Sequence, residues 1–152
     1  MAIDPAVIGT ELPSSTLTID AGRLRFFAEA IGETNPIFTD LAAAKAAGYE
    51  NLPVPPTFLF VIELENPDSF GWLATLGIDL RRVLHGEQSF VYHSTAVAGD
   101  VLTATPRITD VDSKKGGALD LLTKTATVTR ADGALVAELT TVVVVRNPEV
   151  AR

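Results

Sequence analysis

The sequence has no cysteine. Disulfides, thiol nucleophiles and cysteine-ligated zinc are excluded at once. It has two histidines, His85 and His93, too few for a three-histidine metal centre. Positive charge is also scarce: twelve Lys plus Arg stand against nineteen acids, a formal net charge of −7. Nucleic acids and anionic membranes need clustered positive charge, so neither is an expected partner. Anionic small ligands stay open, because a few local cations suffice to hold them. No apolar run reaches ~18 residues, so no membrane span is expected. The start, MAIDPAVIGTELP, lacks a basic segment followed by an apolar one, and no secretory signal is expected. The expectation is a soluble cytoplasmic protein without metal or cofactor.

What is present fits one globular domain over residues 1–152, with 47% hydrophobic and 20% charged residues. No repeat or linker divides it. The chain has a helical front and a strand-rich back. DAGRLRFFAEAI, residues 20–31, is predicted as a helix: Asp20 caps it, Leu24, Phe27, Ala28 and Ile31 recur at helical spacing, and Gly32 ends it. The loop GETNPIF, residues 32–38, follows. Thr39 or Asp40 caps a short alanine-rich helix that Gly48 ends.

Prolines 53, 55 and 56 then hold the chain extended. Proline suits the first turn of a helix, so a helix is predicted from near Pro56 or Thr57 through TFLFVIELE to Asn66-Pro67. It is apolar almost all round and therefore expected to be buried. A helical turn is expected within 68–76. From about residue 87 the period changes to two, with Val, Thr and Ile enriched. Breaks fall at Ala98-Gly99-Asp100, at Lys114-Lys115-Gly116-Gly117 and at Ala131-Asp132-Gly133, the last a hairpin signal. The charge-free run Val142–Val145 is expected to be buried on both faces or paired. The predicted class is α+β: a strongly curved antiparallel sheet wrapped around a central apolar helix.

Four blocks in order carry a resemblance: FAEAIGETNPIF, AAGYENLPVPPTF, GIDLRRVLHGEQSFVYH and the turn Ala98-Gly99-Asp100-Val101-Leu102. On them the chain resembles the MaoC-like dehydratase/hydratase family of hot-dog folds, and within it the N-terminal-type, non-catalytic subunits of (3R)-hydroxyacyl-thioester dehydratases. The resemblance implies reversible addition of water to an enoyl thioester carried on coenzyme A or acyl carrier protein. It also implies pairing of two hot-dog folds, as a homodimer or with a catalytic sister chain.

Catalytic members of that family have a loop that looks like Gly-Asp-x-Asn-Pro-x-His. An Asp and a His there hold water and move protons, and a backbone N–H at the start of the central helix binds the thioester oxygen. Here Gly32, Asn35 and Pro36 match, and Asn35 is expected to hold the turn through bonds to backbone. Glu33 stands at the acid position, one methylene longer. Phe38 stands at the histidine position and carries no proton. The helix-start pair aligns with Pro55-Pro56, and proline has no N–H. A register one residue later puts Thr57 there and restores a donor.

Each residue also has a plainer reading. Glu33 is otherwise an exposed loop acid, and Phe38 a pocket wall or core residue. Phe58 and Phe60 are core, although Thr57 and Phe58 are placed to reach an acyl chain. His85, in VLHGEQSF ahead of the first long strand, is a backbone-satisfied or exposed histidine, or else a replacement acid/base or gating residue. His93 reads as an ordinary strand residue. Arg81, Arg82, Lys114 and Lys115 either meet carrier phosphates or are solvated surface.

Three functions follow. The chain is the substrate-binding subunit of a dehydratase pair, with Phe38, Pro56, Thr57 and Phe58 lining the acyl groove. Alternatively it is a self-sufficient homodimeric hydratase using Glu33, with His85 or a water completing the relay. Or it is a non-catalytic homodimer that binds acyl thioesters.

Overall fold

The computed structural model describes residues 3–148. Five strands form one antiparallel sheet: β1 (Ser15–Thr18), β2 (Val83–Tyr92), β3 (Val101–Lys114), β4 (Leu119–Arg130) and β5 (Leu135–Arg146). Their spatial order is β1-β3-β4-β5-β2, and the sheet curls into a half-barrel. Three helices precede or punctuate it: α1 (Ala21–Ala30), α2 (Leu41–Ala46) and α3 (Gly71–Thr75). Among the described residues, no helix is long and apolar enough to cross a membrane.

The caps explain the helix boundaries. Asp20 accepts from the Arg23 N–H at 3.0 Å, and Asp40 from the Ala42 N–H at 2.8 Å, each satisfying an orphan donor of the first turn. In β4, alternation puts Asp120, Leu122, Lys124, Ala126 and Val128 on the inner face, all buried.

The central helix is where expectation and structure differ. Residues Pro56–Leu64 form a 3-10 helix, not an α-helix. Phe58, Leu59 and Ile62 are buried, Phe60 and Val61 are half-buried, and Leu64 is 42% exposed. Its burial is therefore one-sided. Phe58, Leu59 and Ile62 share a core with Leu102, Ala104, Ala126 and Leu139 of the sheet. The three-residue period aligns side chains at i and i+3. Pro56 and Leu59 thus face one side, Phe60 and Glu63 another, and the two pairs line two different cavities.

Three more differences are local. The four-residue β1, which pairs with Val101–Ala104, has no turn signals to announce it. β2 begins at Val83, so His85 lies inside the strand rather than ahead of it. The ladder slips between His85 and Glu87, and a side chain on Gly86 would meet Val144 Cγ2 at 2.7 Å. The Val142–Val145 run lies between β4 and β2, bonded on both sides. The longer edge is β2, with Leu84 51% and Val91 56% exposed.

A second apolar cluster, with Leu12, Leu73, Ile78, Ile108, Leu122 and Val143, lies at the other end of the sheet's inner face. Lys124 sits between Leu122 of this cluster and Ala126 of the first.

Candidate functional site

The loop after α1 is shaped by its own side chains. Gly32 takes φ +71°, a left-handed conformation that closes the helix, and the Glu33 N–H then donates back to the Ala28 carbonyl at 2.9 Å. Glu33 folds over, its Oε1 accepting from the Asn35 N–H at 2.8 Å. Asn35 Oδ1 accepts from the Ile37 N–H at 3.2 Å and caps the single turn Pro36–Phe38. That turn presents Phe38.

Phe38 is half-buried on the wall of a cavity of about 340 Å3. Pro56 and Leu59 line the same cavity from the central helix, Tyr49 and Pro53 from the segment before it, and Tyr92, His93 and Ser94 from the end of β2. Burial pushes the Tyr92 phenol above its ordinary pKa. Pro55 caps the central helix without a side-chain bond, and Pro56 opens it. The first helical position therefore has no N–H, and the Phe58 N–H is already bonded to the Pro55 carbonyl at 2.9 Å.

The wall is tied down from behind. Arg130 donates from Nε to Asp100 Oδ2 at 3.2 Å and from Nη1 to Ser94 Oγ at 2.9 Å. A third bond, from Nη2, reaches the Thr95 carbonyl at 2.5 Å. Asp100 Oδ2 also accepts from the Val97 N–H.

The structure brings together Phe38 and Pro56 of the residues singled out in the sequence. Glu33 and Thr57 line neither the Phe38 cavity nor the cavity beside Phe60 and Glu63, and Thr57 is exposed. Phe58 is 2% exposed, its ring edge-on to Phe27 with centroids 5.3 Å apart, and it supports the wall from inside the core. His85 lies on the second cavity, its ring 5.3 Å from that of Phe60, so Glu33 and His85 share no cavity. Arg81 and Lys114 are each matched by an acid two residues earlier, Asp79 and Asp112.

Two further features went unread in the sequence. His93 lies just beyond the end of β2 rather than within a strand, and its Nε2 is 3.0 Å from Glu138 Oε2 of β5, at the edge of the Phe38 cavity. Lys124 pairs with Glu63 inside the fold, their side chains 9% and 6% exposed. The signal for the second pair was available. Lys124 interrupts the apolar face of LLTKTATV, and Glu63 interrupts FLFVIEL.

Known proteins carry the same organisation. Residues 6–139 match the family described as FAS1-like, dehydratase domain region. A UPF0336 protein of Saccharopolyspora erythraea is 38% identical over 88% of this chain and 85% of its own. One from Streptomyces avermitilis is 39% identical over 76% of this chain and 78% of its own. Among solved structures, a chain of the C-terminally truncated HadBC (3R-hydroxyacyl-ACP dehydratase) complex from Mycobacterium tuberculosis superposes with TM-score 0.79 and 27% identity, covering 95% of this chain and 99% of that one. A MaoC-like dehydratase superposes with TM-score 0.81 and 27% identity over 95% of this chain and 43% of its own. The hot-dog architecture, the match along nearly the whole sheet and these relatives agree: the chain belongs to the FAS1-like dehydratase-region family of MaoC-like hot-dog proteins.

Proposed function

We propose that this protein is the acyl-thioester-binding subunit of a (R)-3-hydroxyacyl dehydratase/enoyl hydratase pair. One observation carries the reading. The loop 32–38 keeps a fixed, glycine-closed and asparagine-capped shape, yet the residue it delivers to the cavity is Phe38, which moves no proton. Pro56 lines the same cavity and offers no N–H to a developing oxyanion. Glu33 accepts from the Asn35 N–H and is not among the residues lining the cavity. Phe38, Pro56, Leu59 and Tyr49 form an apolar wall suited to an acyl chain.

Catalysis then resides in a partner hot-dog chain carrying the acid and the histidine. The exposed β2 edge supports such pairing, since joining edges continues the sheet and hides Leu84 and Val91. The HadBC protein is itself a complex.

The test is hydration of crotonyl-CoA, followed at the enoyl absorbance. The chain alone is expected to be inactive. Activity is expected only with a sister chain that carries the Gly-Asp-x-Asn-Pro-x-His loop. Steady turnover by the isolated chain that disappears in Glu33→Gln would overturn the reading in favour of a self-sufficient homodimer.

A further inference from the structure

Among the described residues, β2 is paired on one side only, with β5. The ladder slip at Gly86 divides the strand, and residues 87–92 pair with β5 in unbroken register. Side chains alternate along this segment. Gln88, Phe90 and Tyr92 point to the inner face: Gln88 accepts from the buried Thr141 hydroxyl, Phe90 packs on the core, and Tyr92 lines the Phe38 cavity. Glu87, Ser89 and Val91 lie on the outer face, each exposed, beside Val142, Thr140 and Glu138 of β5.

The inner side of this edge carries no charge, and the Phe90 and Tyr92 rings stack there with centroids 5.8 Å apart. The outer side is acidic. Glu87 and Glu138 stand on it without a Lys or Arg: residues 83–93 contain none, and β5 has none before Arg146 at its far end. His93 meets only Oε2 of Glu138. Arg130, which reaches Ser94 just past β2, is already matched by Asp100.

A strand that continues the sheet must set residues of the same face opposite one another. For a second copy of this chain, antiparallel pairing therefore centres on one residue. Centred on Gln88, it sets the two Glu87 side chains on a diagonal. Centred on Ser89, it sets Glu87 opposite Val91 of the second copy, in the row of that copy's Glu138. Centred on Phe90, it sets Glu87 opposite His93 of the second copy, which already holds Glu138. Adjacent strands lie ~4.8 Å apart, so in each case carboxylates of the two copies come within about one Debye length, ~8–10 Å near physiological salt. Like charges so placed destabilise a strand pair, and opposite charges stabilise it.

We infer that the outer strip of β2 rejects a second copy and selects a hot-dog partner whose own edge strand carries Lys or Arg on its outer face. The inference rests on the pairing proposed above and supplies what makes the partner an unlike chain: repulsion within the wrong pair as well as attraction within the right one.

Self-association of the full chain, measured by sedimentation velocity over a concentration series, tests it, with the Glu87→Lys copy as the basic edge. The wild type is expected to self-associate weakly. Glu87→Lys is expected to associate about ten-fold more tightly, with Glu87→Gln between the two and the differences narrowing at high salt. Glu29→Lys, which changes net charge equally on exposed α1, is expected to match the wild type. Hydrogen exchange is expected to show added protection at residues 87–92 in the associated Glu87→Lys copy. A wild type that is already a tight, salt-insensitive dimer overturns the inference. So does a Glu87→Lys copy that associates no better than the wild type, or does so without protecting β2, or is matched by Glu29→Lys. The crotonyl-CoA assay reads catalytic groups rather than edge charges, so turnover by the isolated chain would overturn the subunit reading while leaving these association constants as measured.

Discussion

Lys124 of β4 and Glu63 of the central helix form an ion pair at the seam between the two apolar clusters, where Leu122 belongs to one and Ala126 to the other. The pair ties helix to sheet at a point where apolar packing is interrupted by a cavity. Its energetics are those of buried charge. Removing one partner leaves the other desolvated and unmatched, whereas replacing both with apolar groups removes the problem. Lys124→Met alone is expected to destabilise the fold by about 3–5 kcal/mol. Glu63→Leu/Lys124→Met is expected to recover most of that loss. Denaturant midpoints of the single and double variants measure the difference, and a double variant as unstable as the single would show that the pair itself supplies the stability.

Phe38 and Pro56 line the same loop-side cavity, and neither supplies a proton-moving group or a backbone donor there. Phe38→His adds an imidazole, but Pro56 still has no N–H and Glu33 still does not line the cavity. Phe38→His is therefore expected to remain inactive on crotonyl-CoA without a partner. Phe38→Ala removes a half-buried ring from the wall and is expected to weaken acyl-thioester binding by about ten-fold, or ~1.4 kcal/mol, within the range for losing part of a buried aromatic. Titration with a saturated acyl-CoA, which does not react, measures this directly.

Gly32 isolates a backbone effect. A Cβ there would meet nothing within 4 Å, so there is no clash to relieve, only the left-handed φ of +71°. Gly32→Ala is expected to lower stability by about 1–2 kcal/mol. Gly32→Asn is expected to lower it by less, because asparagine tolerates that region. Thermal melts of the two variants, ranked against each other, check the assignment.

The outline of this fold was legible because it rests on local chemistry. Asp20, Asp40 and Gly32 bound helices by capping rules that need no tertiary knowledge, and the Asp132-Gly133 turn marks the β4–β5 hairpin in the same way. The site was legible in part. Phe38 and Pro56 were singled out by motif, and they do share a cavity. Phe58 was not distinguishable from them in the sequence, because wall and core ask for the same apolar side chain. The 3-10 form of the central helix sets which residues face which cavity, and hydrophobicity all round the segment conceals that choice. The His93–Glu138 contact depends on strand register, which pairs Tyr92 with Ala137 and brings residues 45 apart together. Lys124 was the missed opportunity: its place on the inner face follows from period-two alternation alone.

Asp79 has a carboxyl held well below the usual range by Arg81. It caps the turn Leu80–Arg82 and accepts from the Arg81 N–H and guanidinium, which hold its carboxyl down at about 2. A carboxyl depressed on folding stabilises above its unfolded pKa of roughly 4 and loses that contribution as pH falls through the folded value. The window is thus between roughly 4 and 2. The Asp79 side-chain carboxyl resonance is expected to titrate near 2, and Arg81→Ala is expected to move the midpoint back toward 4. A midpoint near 4 in the native protein would mean that this exposed ion pair does not persist in solution.

Arg130 is expected to control the order of the Phe38 cavity from the far side of its wall. Its guanidinium makes three bonds to the segment between β2 and β3, to Asp100, Ser94 and the Thr95 carbonyl. Asp100 extends the clamp by accepting from the Val97 N–H at 3.0 Å. Both charged side chains are about three-quarters buried, at 24% and 23% exposure, so solvent screening is partial. A planar fork is required, because the three acceptors lie in different directions and a lysine reaches only one or two of them. Arg130→Lys is therefore expected to behave nearly like Arg130→Ala. In both, amide hydrogen exchange is expected to rise by ten-fold or more over residues 94–100 while β4 and β5 keep their protection. Acyl-thioester binding is expected to weaken in parallel, because the loosened segment includes Ser94, Thr95 and Ala96 of the cavity wall. If exchange rises across the whole sheet instead, Arg130 supports the fold at large and has no special hold on the cavity.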